Sequence, residues 1–177
     1  GTGCLRALVE HQIENVAVCI NDSEAVARLA GVGVGGKVTL PIGGKGSQLD
    51  LGPLELEVEL LARSEGRFEL EDKQSHLASM VGDFPDMGDC ALVRHAGVTL
   101  LLTSNKIAPF DLGQWRSQGV DPGELNVIVV KAAVAHKRAY DPITKRSFRV
   151  DTPGPCSSNL LRLPYEHLRR GMWPLDA

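Results

Sequence analysis

The chain has 177 residues, 43% of them hydrophobic, so it is long enough to bury one core. Its formal net charge of −3, from 19 basic and 22 acidic residues, argues against a nucleic-acid partner, because phosphate binding depends on clustered lysine and arginine. Basic residues do cluster late in the chain, where they form either a solvated face or a surface for an acidic partner. They are Lys137, Arg138, Lys145, Arg146, Arg149, Arg162, Arg169 and Arg170.

The cysteines and the apolar runs indicate a compartment. Cys4, Cys19, Cys90 and Cys156 are widely spaced and include no C-x-x-C pair, so we expect reduced, mostly buried thiols. No run approaches the roughly 18 apolar residues of a membrane span, and the start has no signal-peptide pattern. We therefore expect a cytoplasmic protein with no membrane partner. Because the chain starts at Gly1 and not at Met, we interpret it as a fragment of a longer protein.

The first half of the sequence predicts alternating helices and strands. Helical spacing runs from Leu5 to Ile13, a short buried strand covers 15–20, and a helix capped by Asp22 or Ser23 follows as far as Leu29. Residues 37–42 predict an edge strand, since Pro41 cannot donate to a ladder. Apolar and acidic residues then alternate over 54–62 and over 67–71, which predicts an antiparallel hairpin.

The second half predicts a loop and then a second hairpin. Residues 72–89 are polar and broken by glycine and proline, whereas 90–95 and 98–103 are strands separated by a two-residue turn. Further elements are a helix over 111–118, a buried parallel strand over 127–130, a helix over 131–140 and a short strand at 149–150. Together they predict an α/β fold: a mixed sheet with flanking helices and one or two antiparallel hairpins, in a single compact domain over 1–177.

Sequence motifs for catalysis are absent. Gly31, Gly33 and Gly36 have G-x-G-x-x-G spacing, but a helix precedes them and a strand follows, the reverse of a dinucleotide site. The Gly43–Ser47 stretch lacks the spacing of a phosphate loop. The five histidines include no paired-ligand spacing and no H-E-x-x-H, and there is no G-x-S-x-G elbow. We therefore predict no catalytic residue, no metal ligand and no cofactor within this chain, and the alternative is a metal site assembled over long range from Asp89, His95 and His136.

Polar residues at the ends of two apolar strands are the candidate site. Thr103 and Ser104 follow VTLLL, and Lys131 follows VIVV, with His136 five residues later. Ligand clefts form at the carboxyl ends of parallel strands, so these four residues can line one substrate-binding surface. The alternative is that they are ordinary polar loop residues, since loops at a protein surface are polar in any case.

Five motifs in order resemble the C-terminal domain of the MlrC family, metallopeptidase-like proteins named after an enzyme of microcystin breakdown. The motifs are LLLTSNK, PFDLGQW with GVDP, VIVVKAAVAHKRAY, VDTPG and GMWPLD, and the resemblance extends over essentially the whole chain. Three positions depart from the family pattern: Ala132 replaces an expected serine, Lys137 an expected aromatic residue, and Gly171-Met172 a region that often contains proline. The first two departures lie in the same segment as Lys131 and His136, and the third lies in the tail of the chain.

The resemblance implies a role in amide-bond hydrolysis. In the intact parent, an N-terminal domain absent from this chain would hold a catalytic zinc ion, and the present domain would complete the cleft for a peptide-like small substrate. Thr103, Ser104, Lys131 and His136 would hold the polar groups of that substrate. The partners expected are the parent's own N-terminal domain and the substrate, with further copies of the chain as an open alternative. The competing interpretation is a non-catalytic module for oligomerisation or regulation, favoured if Trp115 and Trp173 line an exposed apolar patch; an independent hydrolase is the least favoured interpretation.

Overall fold

The computed structural model describes residues 1–156 and 159–175, and within them six strands form one mixed sheet. The sheet order is β2-β3-β4-β5-β1-β6, with β1 parallel to β5 and β6 and the other pairs antiparallel. The strands are β1 (Val16–Asn21), β2 (Lys37–Ile42), β3 (Leu54–Ser64), β4 (Cys90–His95), β5 (Val98–Thr103) and β6 (Val127–Val129). The helices are α1 (Gly3–Glu10), α2 (Ser23–Leu29), α3 (His76–Val81), α4 (Gly113–Arg116) and α5 (Lys137–Tyr140). Three single-turn 3-10 helices cover Pro122–Glu124, Asp141–Ile143 and Leu160–Arg162. The predicted mixed α/β fold is confirmed.

Two separate cores lie on the two faces of the sheet, because successive side chains of a strand point to opposite faces. On β1, Val16, Val18 and Ile20 enter the first core, which α1 and α2 cover, whereas Ala17 enters the second core. The second core contains residues from α3, α4 and α5, including Leu77, Trp115 and Tyr140. The sheet is therefore sandwiched between two layers of helices.

The β4–β5 hairpin has the two-residue turn that its spacing predicts. Ala96 has a φ of 47°, and a Cβ atom added to Gly97 would lie 2.6 Å from the Cα of Glu14. The chain before β1 therefore approaches this turn so closely that only glycine fits. The turn of this hairpin lies at one end of the strands. The carboxyl ends of β1 and β5 lie at the opposite end.

The long strand β3 rolls the sheet around α2. Its first half pairs with β2 and its second half with β4, with a register shift between Leu60 and Ala62. The roll brings the end of β2 close to the end of β1, where the Gly43 amide donates to the Asp22 carboxylate at 2.8 Å. Loop residues that follow β2 thereby reach the carboxyl edge of the parallel strands.

The predicted hairpin over 54–71 is wrong in its second arm. Residues 67–71 are extended, but their partners are residues 83–86: the Phe68 amide donates to the Pro85 carbonyl at 3.3 Å and the Leu70 amide to the Asp83 carbonyl at 2.9 Å. The alternation of this segment reflects burial of Phe68 and Leu70 in the second core. The predicted loop over 72–89 likewise contains α3, which Ser75 caps by accepting a hydrogen bond from the Ala78 amide at 3.1 Å.

Four further predictions for the second half also need correction. The helix expected over 111–118 is reduced to α4, and the one expected over 131–140 is reduced to α5. No Ser, Thr, Asp or Asn stands between Val127 and Tyr140 to cap an earlier helix start. β6 is an edge strand with Val127 38% exposed, so it is not the buried strand predicted. Residues 149–150 are exposed and form no strand.

Candidate functional site

The carboxyl ends of the three parallel strands meet at one edge of the sheet, which we call the carboxyl edge. Asn21 ends β1 and Thr103 ends β5 beside it, while Lys131 stands two residues beyond the end of β6. The end of β3 at Ser64 and the start of β4 at Cys90 lie on the same side, because Ser64 pairs with Cys90 and Cys90 with Thr103. Parallel pairing therefore places Thr103, Ser104 and Lys131 at the carboxyl edge, as their positions after strands in the sequence indicate.

Thr103 is a structural member of this edge. Its side chain is buried, and its hydroxyl donates to the Asn105 carbonyl at 2.9 Å. Its own carbonyl accepts hydrogen bonds from the Asn21 amide side chain and from the Asp22 backbone, both at 2.9 Å. These bonds tie the loop after β5 to the loop after β1, so Thr103 holds the edge in place and presents little of itself to a ligand.

Ser104 lines a surface groove of about 370 Å³ between α2 and the start of β4. Its hydroxyl donates to the Asp89 carbonyl at 2.8 Å, and its backbone amide donates to the same oxygen at 3.0 Å. The lone pairs of the hydroxyl stay available to accept a further hydrogen bond. The rest of the lining is mixed: Ser23, Val26, Ala27, Ala30, Arg63, Ser64, Glu65, Asp89 and Cys90.

Arg63 is one of the lining residues of this groove. Its guanidinium donates to the carbonyls of Leu29, the last residue of α2, and of Ala30, the C-cap, which complements the partial negative charge at a helix C-terminus. Glu65 and Asp89 supply carboxylates on the same lining. The groove therefore carries both signs of charge beside apolar atoms, which suits a zwitterionic or peptide-like ligand better than a simple anion.

Lys131 and His136 are not in contact with Thr103 or Ser104. Lys131 is exposed and has no ion pair or hydrogen bond with any residue in 1–156 or 159–175. His136 precedes α5, and its ring is tilted by 52° against Tyr140 with the ring centroids 6.4 Å apart. The Nδ1 atom of His136 is buried without a hydrogen-bond partner among the described residues. His136 therefore faces the second core and Lys131 faces solvent.

An ion pair between Asp22 and Lys45 beside the carboxyl edge was not predicted from the sequence. The Asp22 carboxylate is 5% exposed and caps α2 by accepting from the Ala25 amide at 3.0 Å. It also accepts from Lys45, whose Nζ lies 3.0 Å from Asp22 Oδ1. Gly43 and Gly44, both with a φ of 66°, turn the chain so that Lys45 reaches it. The glycine pair was the available signal, but nothing in the sequence identified Asp22 as its partner.

Two thiols on this side of the molecule are held in the neutral form. Burial raises the pKa of the Cys19 thiol to about 12, with the neighbouring Cys90 as a lesser cause. Burial raises the pKa of the Cys90 thiol to about 11, with Asp89 and Asp86 adding to the effect and a hydrogen bond with Ser64 opposing it. Neither thiol is therefore activated as a nucleophile at neutral pH.

Across 1–156 and 159–175, no three His, Cys, Asp or Glu side chains come close enough together to hold a metal ion. Within the same ranges, no helix combines the length and the apolar character needed to cross a bilayer.

Comparison with known proteins gives the family. The family described as MlrC C-terminus matches residues 1–167. A crystal structure of a "putative metallopeptidase" from Mesorhizobium sp. BNC1 is 26% identical in sequence and superposes with a TM-score of 0.80, covering 98% of this chain and 34% of that one. The chain thus spans about a third of that relative's length. No curated protein matches the sequence. On the family match and the shared fold, the chain belongs to the MlrC family and corresponds to its C-terminal domain.

Proposed function

We propose that this domain forms one wall of the substrate cleft in an MlrC-family metal-dependent peptidase or amidohydrolase whose zinc ligands lie elsewhere in the parent protein. The observation that carries the proposal is the carboxyl edge, where Ser104 lines the groove and Lys131 is an exposed cation with no ion pair among the described residues. The relative from Mesorhizobium sp. BNC1 supports the reaction class, since its name is that of a metallopeptidase. A peptide-like small substrate suits a groove with mixed charge and apolar lining.

The residues of the edge would have different tasks. The Ser104 hydroxyl would accept a hydrogen bond from a substrate amide, while Thr103 keeps the loop that carries it in place. The Lys131 ammonium would bind a substrate carboxylate or the oxyanion that develops on the scissile carbonyl. His136 would support the segment after Lys131 by packing against Tyr140. A zinc ion, when bound in the parent, supplies an acidified water and polarises the carbonyl.

A cytoplasmic location and self-association are parts of the same proposal. The four cysteines, Cys4, Cys19, Cys90 and Cys156, are free thiols, which is typical of proteins from a reducing compartment. Further copies of the chain would associate through surfaces away from the groove. Neither feature is required for the substrate-wall role.

The kinetic test uses the intact parent protein. We expect Lys131→Ala and Ser104→Ala each to lower kcat/KM by about 10-fold or more, because each loses a group that holds the substrate or the transition state. Lys37→Ala is the matched control: this lysine shares a pocket with Arg94, His95 and Ala96 at the opposite edge of the sheet. Wild-type kcat/KM in both variants would contradict the proposal.

The second candidate function is a module for oligomerisation or regulation. It was expected to show an apolar patch formed by both tryptophans, but Trp115 is 1% exposed and belongs to the second core. Trp173, in contrast, is 87% exposed. An interaction surface is therefore favoured only for the end of the chain, and activity that survives mutation of Ser104 and Lys131 would favour this second function.

A further inference from the structure

The end of the chain differs from the rest of the molecule because none of its described residues is buried. We call residues 144–175 the terminal arm, of which 144–156 and 159–175 are described, and every described side chain in it is exposed or half-buried. Monomeric proteins rarely expose many large apolar side chains in one segment, and such segments mark interaction sites. The arm exposes Phe148, Val150, Leu160, Leu161, Tyr165, Leu168, Met172 and Trp173.

Charge separates the arm from the remainder as well. The arm carries six basic residues against two acidic ones, whereas residues 1–143 carry 13 basic and 19 acidic residues. Five of the six basic residues are arginines, the side chain that pairs with carboxylates in bidentate geometry and is enriched in protein interfaces. The arm is therefore suited to a protein surface that offers carboxylates around an apolar pocket.

The arm follows a defined path although it is not buried. Asp151 forms an ion pair with Arg162 at 3.3 Å and accepts a hydrogen bond from Asn159 at 2.8 Å. Thr152 packs against α1, where a Cβ atom added to Gly3 would lie 2.9 Å from the Thr152 Cγ2. The domain thus fixes the start of the arm, while Phe148 and Trp173 are 80% and 87% exposed.

We propose that the terminal arm docks on the part of an MlrC-family chain that lies outside this domain, with Phe148 and Trp173 as apolar anchors and its arginines facing carboxylates. This inference rests on the proposed function, because it supplies the contact that holds the cleft wall against the metal-bearing part. The match to the Mesorhizobium protein includes 98% of this chain, and therefore the arm, while about two thirds of that longer chain remains to cover it.

A membrane surface suits the arm less well than a protein surface. In 144–156 and 159–175 the arm forms no α-helix, only the 3-10 turn at Leu160–Arg162, so it lacks the amphipathic helix by which many proteins bind a membrane surface. A second copy of the chain offers a net acidic surface in residues 1–143. That possibility makes a different prediction about cross-links and is tested by the same experiment.

The test is a cross-link from Lys145, the arm's one lysine, in the intact parent protein. An amine-to-carboxylate cross-linker is applied to an equal mixture of ¹⁴N- and ¹⁵N-labelled protein, and linked peptides are identified by mass. We expect unmixed links from Lys145 to residues outside this domain. Mixed-isotope links to a second copy, or links only to residues of this domain, would overturn the proposal.

A variant pair separates docking from catalysis. In the intact protein, Trp173→Ala with Arg169→Glu and Arg170→Glu is expected to accelerate amide hydrogen exchange in the arm by about 10-fold or more, because the arm leaves its partner. Phe84→Ala is the control, since Phe84 is 67% exposed outside the arm. Unchanged exchange overturns the docking proposal, whatever Ser104→Ala and Lys131→Ala do. Faster exchange with those two variants fully active supports docking and removes the substrate-wall role.

Discussion

The two tryptophans show how differently the two regions of this molecule are built. Trp115, 1% exposed, packs among Phe68, Met87 and Leu101 in the second core, while Trp173 in the terminal arm is 87% exposed. Residues 1–143 fold around their own apolar side chains, whereas the arm presents its apolar side chains outward. Large apolar residues are also exposed in residues 1–143, where Phe84 is 67% exposed, but they are concentrated in the arm, none of whose described residues is buried. A single partner surface can account for this concentration.

The largest expected effect uses the same substitution in both regions. Trp115→Ala should lower the free energy of unfolding by about 3–5 kcal/mol, because it leaves a cavity in a packed core. In the 177-residue chain by itself, where the proposed partner surface is missing, Trp173→Ala should change it by less than about 0.5 kcal/mol, as for other exposed sites. Denaturant unfolding of the two variants measures both values. Equal losses would show that the arm is folded onto the body in solution.

A smaller loss of unfolding free energy is expected when a buried carboxylate in residues 1–143 is replaced. Asp111 is 1% exposed and accepts from the backbone amides of Glu71 at 3.2 Å, Asp72 at 3.1 Å and Gly113 at 2.8 Å. Asp111→Ala leaves three donors without this acceptor and should cost about 2–3 kcal/mol of unfolding free energy. Asp111→Asn keeps one acceptor oxygen and should cost less. Thermal or urea unfolding distinguishes the two, and a neutral Asp111→Ala would contradict the geometry.

The Asp22 carboxylate at the carboxyl edge should contribute less. Asp22→Ala removes the cap of α2 and the acceptor for the Gly43 amide, with an expected cost of about 1–2 kcal/mol. Lys45→Met is the control, because it removes only the partly exposed ion pairs of Lys45 with Asp22 and Glu24 and should cost less than about 1 kcal/mol. A larger loss in Lys45→Met than in Asp22→Ala would show that the ion pair, and not the cap, fixes this edge.

The exposure of the cysteines also differs between the arm and residues 1–143, and labelling them changes the structure least. Cys156 in the arm is exposed, whereas burial raises the pKa of Cys90 to about 11 and that of Cys19 to about 12. At neutral pH we expect iodoacetamide to label Cys156 and to spare Cys19 and Cys90 in the folded protein. Mass spectrometry of tryptic peptides measures the labelling, and early modification of Cys90 would contradict its burial.

The same thiols give stability a pH dependence. Their folded pKa values lie above the ordinary value of 9.0, so the folded state holds these protons more tightly than the unfolded state. Their contribution is complete below pH 9 and is lost as the pH rises towards 11 and 12. The unfolding free energy should therefore fall above pH 9, and less steeply in Cys90→Ala, as measured by urea unfolding at each pH.

Local signals in the sequence predicted the elements that local physics determines. The two-residue spacing at Ala96-Gly97 identified the β4–β5 hairpin, and of the two caps expected for α2, Asp22 and Ser23, Asp22 is the one observed. The partner of β3 was not predictable in this way, because alternation over 67–71 reports which side chains are buried and not which strand lies alongside. Residues 67–71 pair with residues 83–86. β3 pairs instead with β2 and β4 in the sheet.

The positions of the candidate residues at strand ends followed from the sequence, whereas their binding role stays a prediction. Parallel pairing places Ser104 and Lys131 at one edge, as expected, but burial of Thr103 and the turn of His136 towards Tyr140 depend on long-range packing. Lys45 was missed because its partner Asp22 lies far from it in the chain and the two meet only after the sheet rolls. Sequence alone locates the edge, whereas tertiary contacts decide which side chains are free to bind.

The central claim is that the carboxyl edge faces the metal of the parent protein. It is tested by an electron paramagnetic resonance distance between Mn²⁺ in the parent's metal site and a nitroxide placed at Ser104→Cys or, in a second sample, at Lys37→Cys, with Cys4 and Cys156 replaced by serine. The proposed function predicts a clearly shorter distance from Ser104 than from Lys37, which lies at the opposite edge. An equal distance, or a shorter one from Lys37, would contradict it.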